Sequence, residues 1–197
     1  MTYTLPGLLS AGAQNAGAAA LLAPDGTVTT YGDLERDVAQ WASGFRGLGI
    51  ERGDRVLYQV EKSPAVVALH LALLRCGAIQ VPVNTAYSDT EVSSLLSDAE
   101  PAMVIRDPTR TTLPGTWQSL TLNAAGEGSA RGLSTDADVD LPFVHGDDGA
   151  ALLYTSGTTG RPKGALLTHA NLVHNAEVLV AEWGFTQSDV LLHMLPL

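Results

Sequence analysis

The chain has 197 residues, 45% of them hydrophobic and only 16% Asp, Glu, Lys or Arg, which is a globular composition with enough length to bury a real core. Its 21 acids against 11 bases leave a formal net charge of −10. A surface of that sign repels phosphate backbones and anionic lipid, which argues against nucleic-acid or membrane-surface binding as a main role, so any anion bound here must be held by local geometry.

Residues 27–31 read as a strand, and a helix follows to about Leu48 with Leu34, Val38, Trp41 and Phe45 along one face. The first basic residue is Arg36, so the N-terminal stretch does not resemble a secretory signal. Gly47 and Gly49 stop the helix, and a turn at 51–54 leads into a strand over 55–60. Ser63 caps the next helix and Pro64 opens it. Residues 65–74 are apolar nearly all round, which predicts a helix sandwiched between layers; the run is far short of the ~20 residues a membrane span needs. Cys76 is the single cysteine, so no internal disulfide framework exists; it reads as a small core residue in a reducing, cytoplasmic protein.

Gly77 ends this helix and a strand is expected over 78–83. Ser88 and Glu91 form a capping box that starts a helix to about Ser97, before a buried strand at 103–105. Two strand–helix–strand passages in succession predict parallel pairing with right-handed crossovers. The fold class is α/β, a layered and mostly parallel sheet flanked by helices.

Between 123 and 140 Ala, Gly, Ser and Asp dominate, which reads as a flexible surface connection. Regularity returns with a buried strand at 150–154, a helix over about 169–183 capped by Thr168, and a last apolar strand at 190–195. The expected organisation is an α/β subdomain over 1–122, a connection over 123–149, and the start of a second α/β subdomain with its own sheet over 150–197. Ending on Leu195-Pro196-Leu197, the chain reads as cut from a longer one.

One segment carries chemistry: Thr155-Ser156-Gly157-Thr158-Thr159-Gly160-Arg161-Pro162-Lys163-Gly164. Its glycines let the backbone turn tightly and present N–H groups as a nest for an anion. The hydroxyls of Thr155, Ser156, Thr158 and Thr159 add neutral donors, and Lys163 supplies a point charge. A solvated Gly/Thr hairpin needs neither four hydroxyls nor a Pro-Lys-Gly exit. An ordinary P-loop does not fit either, because the lysine is displaced, no Ser or Thr follows it, and the next segment is β-like.

Together with Tyr154, this segment resembles the signature loop of the adenylate-forming enzymes: acyl-CoA synthetases, luciferases and peptide-synthetase adenylation domains. The resemblance covers nearly the whole chain. Thr30-Tyr31-Gly32-Asp33-Leu34, Gly53-Asp54-Arg55-Val56 and Val81-Pro82-Val83-Asn84 sit where the family carries similar blocks, and Leu167-Thr168-His169-Ala170-Asn171-Leu172 resembles the stretch after its loop. Glu61-Lys62-Ser63, Asn84-Thr85-Ala86-Tyr87, Asp98-Ala99-Glu100-Pro101 and Asp189-Val190-Leu191-Leu192-His193 look most like malonyl-CoA synthetases.

The resemblance implies a two-step ligation in which a small carboxylic acid is adenylated by Mg·ATP and the acyl group then passes to coenzyme A. It assigns Thr155, Ser156, Gly157, Thr158, Thr159, Gly160 and Lys163 to the ATP phosphates, with Thr158 the magnesium candidate. The family's adenine, ribose and catalytic-lysine blocks have no counterpart in these residues, so no catalytic residue is assigned and the isolated chain is expected to have little or no ligase activity. Two other readings stay open: a truncated non-catalytic nucleotide-binding or docking module, with a second chain supplying the absent segments, and an adenylation domain loading a carrier protein.

His169, His174 and His193 are too scattered to suggest a metal site, and Asp147-Asp148 read as a solvated turn. Trp41, Trp117 and Trp183 read as core or interface aromatics, and Arg161 as solvent-facing.

Overall fold

The computed structural model describes residues 15–133, 140–155, 162–186 and 188–194. A short antiparallel pair, β1 (Ala19–Leu22) and β2 (Val28–Thr30), precedes helix α1 (Tyr31–Gly47). Six further strands form one sheet: β3 (Arg55–Gln59), β4 (Ile79–Pro82), β5 (Met103–Arg106), β6 (Gln118–Thr121), β7 (Gly149–Thr155) and β8 (Lys163–Thr168). Their spatial order is β6-β5-β3-β4-β7-β8. All neighbours pair in parallel except β7 and β8, which run antiparallel. Helices α2 (Pro64–Arg75), α3 (Asp89–Ala99) and α4 (His169–Trp183) complete the described elements.

The helices begin where their caps say they should. Thr30, Ser63, Ser88 and Thr168 each accept a backbone N–H from the third residue on, and all but Ser63 form reciprocal capping boxes.

Alternation along the strands builds two apolar layers, because successive side chains point to opposite faces. Val56 and Tyr58 of β3 join Met103 and Ile105 of β5 beneath α1 and α2, around Phe45, Leu69 and Leu73. Leu57 and Val104 face the other way and meet Val81 with Val92, Leu95 and Leu96 of α3. Around β3, β4 and β5 the sheet is thus covered on both faces, as a parallel sheet requires. Cys76 is fully buried, and burial pushes its thiol up to about 11, which makes it a core residue and not a nucleophile.

Three features differ from expectation. Strand β7 does not open a separate sheet: Ala151 pairs with Gln80 of β4, so the first sheet simply continues. The stretch after β6 is more structured than a bare connection. Asn123 and Glu127 bond each other across a turn, Ser129–Gly132 form a 3-10 helix, and Ala130 is fully buried. The apolar run from Val190 to Met194 forms no strand, because no described strand pairs with it; Val190 is 91% exposed. Strands β1 and β6 had no counterpart in the sequence reading.

Candidate active site

Strands β3, β4, β5 and β7 all point their carboxyl ends the same way. In parallel α/β sheets that edge is where ligands bind, outside the strand ends and beside helix N-termini. Here the caps Ser63 of α2 and Ser88 of α3 follow directly on β3 and β4, and β7 delivers Thr155.

Thr155 is the last residue of β7 and Lys163 the first of β8, and the two are paired across the hairpin. Ser156, Gly157, Thr158, Thr159, Gly160 and Arg161 lie outside the described residues. The antiparallel ladder therefore closes the segment into a loop whose two ends are set opposite each other, with the Thr155 hydroxyl 3.5 Å from the Lys163 carbonyl oxygen. Lys163 is exposed, and it forms no ion pair among the described residues. An exposed ammonium beside a segment whose sequence is rich in hydroxyls and N–H groups is suited to a multiply charged anion.

The same carboxyl edge, at the ends of β3 and β5, holds a polar network that sequence reasoning missed. Arg106 at the end of β5 and Gln59 at the end of β3 are both buried. The guanidinium donates to Gln59 Oε1 at 2.9 and 3.1 Å, to Asp89 Oδ1 at 2.5 Å and to the Thr111 carbonyl at 2.5 Å. The Gln59 amide in turn donates to the carbonyls of Asn84 and Tyr87 at 3.1 and 3.0 Å. The ends of β3 and β5 are thereby stitched to the β4–α3 connection and the β5–β6 connection by one satisfied network, the condition under which buried polar groups add rigidity. The available signal was a polar residue closing each of two strands directly after an apolar run.

Tyr154 was also unassigned. Its phenol donates to Asp98 Oδ2 on α3 at 2.6 Å.

The histidines do not converge. His169 is fully buried at the start of α4, and among the described residues no group of three or more His, Cys, Asp or Glu could hold a metal. Asp148 accepts the His145 N–H at 2.8 Å and lies 3.5 Å from Arg52, as a turn carboxylate does. Trp41 is core and Trp117 packs on the α3 layer, whereas Trp183 is 68% exposed beside Phe185. No described helix is long and apolar enough to cross a membrane. The magnesium candidate, Thr158, lies outside the described residues, and what is described of the loop does not by itself provide a metal's donor set.

Comparison with known proteins agrees with this geometry. Residues 9–197 match the family described as AMP-binding enzymes. A feruloyl-CoA synthase of Amycolatopsis is 37% identical over 87% of this chain, and 35% of that protein is covered. A mitochondrial malonate–CoA ligase of Xenopus laevis is 33% identical over 73% of the chain and 26% of its own length. Among solved structures, ATP-bound MatB from Rhodopseudomonas palustris superposes with a TM-score of 0.89 at 35% identity, covering all of this chain and 41% of that one. The chain spans between a quarter and about two fifths of the length of these three proteins.

Proposed function

This chain belongs to the AMP-binding enzyme family, and on that premise we propose that it is the N-terminal part of an ATP-dependent, AMP-forming acid–CoA ligase. The observation that carries the proposal is the β7–β8 hairpin, which sets Thr155 opposite Lys163 at the carboxyl edge of the sheet. The relatives reported above are named as CoA ligases or synthases, and one solved neighbour holds ATP.

In this reading a carboxylate oxygen attacks the α-phosphorus of ATP and the bond to the bridging oxygen breaks. Pyrophosphate leaves, and a CoA thiol then takes the acyl carbon while AMP departs. The residues of this chain act on the leaving group. Thr155, Ser156, Gly157, Thr158, Thr159 and Gly160 offer hydroxyls and N–H groups to the β- and γ-phosphates, and the Lys163 ammonium offsets the charge that builds on them. Positioning and charge stabilisation are the main means of catalysing phosphoryl chemistry. Magnesium, when bound, supplies further charge neutralisation on the phosphates; Thr158 is the residue proposed to meet it.

Malonate is the proposed acid, supported by the likeness to MatB and to the malonate–CoA ligase, with a feruloyl-type acid second on the strength of the feruloyl-CoA synthase. A boundary at 123–149 between two subdomains that share one continuous sheet, and a cytoplasmic location, belong to the same proposal, the latter resting on the lone buried Cys76.

The test is a titration of MgATP into the purified chain. Binding is expected, and Lys163→Ala is expected to weaken it about tenfold or more, the scale of a lost charge-assisted contact. Equal affinity in the variant would overturn the assignment of the loop. Pyrophosphate exchange with malonate and ferulate should be negligible for the isolated chain.

A further inference from the structure

We infer that Tyr154 is a positioning residue that holds the two ends of the candidate phosphate loop in place, and that Asp98 is its anchor. Tyr154 immediately precedes Thr155, and its partner across the ladder is Gly164, immediately after Lys163. A Cβ on Gly164 would stand 3.3 and 3.4 Å from the tyrosine ring and 2.9 Å from Leu152 Cδ1. Glycine at that position therefore leaves the space in which the ring lies against β8, next to the lysine.

The ladder that joins the hairpin to the rest of the sheet is short. β7 is joined to the parallel sheet through the single register pair Gln80↔Ala151, and β8 is the outermost strand. Beyond Ala151 the end of β7 leans on an edge strand that itself leans on nothing further in the sheet. The 2.6 Å bond from the Tyr154 phenol to Asp98 Oδ2 ties this end to the last turn of α3, and the ring packs against the apolar layer of that helix. The acceptor is a carboxylate, which makes the bond one of the stronger kind. Burial, and then the bond to Asp98, push the phenol's pKa up, so Tyr154 remains a donor at any physiological pH.

The consequence for ligand rests on the phosphate reading above: with the tether cut, Thr155 and Lys163 lose their fixed spacing and polyphosphate is held less well. Three variants test this. Tyr154→Phe keeps the ring and loses the donor, Asp98→Ala loses the acceptor, and Asp98→Asn keeps one. Two measurements apply to each: amide hydrogen exchange at residues 163–165, and titration with inorganic tripolyphosphate.

Tyr154→Phe and Asp98→Ala should speed exchange and weaken tripolyphosphate binding about three- to tenfold, the net worth of one hydrogen bond. Asp98→Asn should restore most of both, which a general loss of stability would not do. Unchanged exchange in Tyr154→Phe overturns the inference whether or not tripolyphosphate binds. Faster exchange with undiminished affinity overturns it as well. A wild-type chain that does not bind tripolyphosphate overturns the phosphate reading instead, and exchange alone then decides whether the tether exists.

Discussion

His169 is fully buried at the first position of α4, and neither ring nitrogen has a hydrogen-bond partner among the described residues. Burial holds its pKa below the ordinary histidine value, and the nearby Asp148 only partly offsets this. His70 on α2 is shifted the same way, again by burial, with a weaker opposing contribution from Gln80. The direction fixes the pH behaviour. Above the unfolded pKa near 6.5 both states are neutral and nothing changes; below it the unfolded chain takes up protons that the folded chain refuses. Stability should therefore fall from about pH 6.5 downward, by at most roughly 1.4 kcal/mol per pH unit for each histidine, until the folded pKa is reached. Urea denaturation at pH 7.5 and 5.5 measures this. His169→Leu, which removes both unpaired nitrogens, should shrink the difference between the two pH values, and an unaltered difference would show that His169 is not its source.

At the scale of elements, the connection after β6 is held by one close approach. Gly128 has φ +134°, and a Cβ there would lie 2.2 Å from the Thr121 carbonyl oxygen, in a strand that cannot move without leaving β5. Gly128→Ala should cost at least the 1–3 kcal/mol typical of a strained backbone, roughly, whereas Gly132→Ala, whose Cβ meets nothing within 4 Å, should stay within about 0.5 kcal/mol. Equal urea midpoints for the two variants would remove Gly128 from this role. Such an approach is invisible in sequence, where residues 123–132 show only small and polar side chains. The helices were legible because their signals are local: Ser63-Pro64, Ser88 with Glu91, and Thr168 each act within three residues. β1 and β6 were not, since Ala19, Ala20, Gln118 and Ser119 have little strand character and are held by their neighbours' ladders. The loop between Thr155 and Lys163 was legible as a motif. Its supports were not, because Tyr154 meets Asp98 across 56 residues and Arg106 meets Gln59 across 47.

For the whole molecule, the two ends of the sheet differ in how well they are covered. Around β3, β4 and β5 helices close both faces, and Leu57, Leu69, Leu73 and Met103 are completely buried. At the other end β8 is an edge strand with Leu166 56% exposed; α4 buries only His169 and Val173, and its Val178, Val180 and Trp183 stand out into solvent. Exposed backbone on an outer strand beside exposed apolar side chains is a template for pairing with another copy. The net charge of −10 opposes that pairing at low ionic strength, and salt screens the repulsion over a Debye length of about 8 Å at physiological strength. The chain should therefore sediment as a concentration-dependent mixture of monomer and larger species, with the larger fraction growing as salt is raised. Leu166→Lys combined with Val180→Lys, which places like charges on the β8 edge and on α4, should shift that distribution toward monomer without altering the buried core. A chain that sediments as a single monomer from low to high salt would mean that this apolar end does not associate, and that its exposure carries no cost in solution.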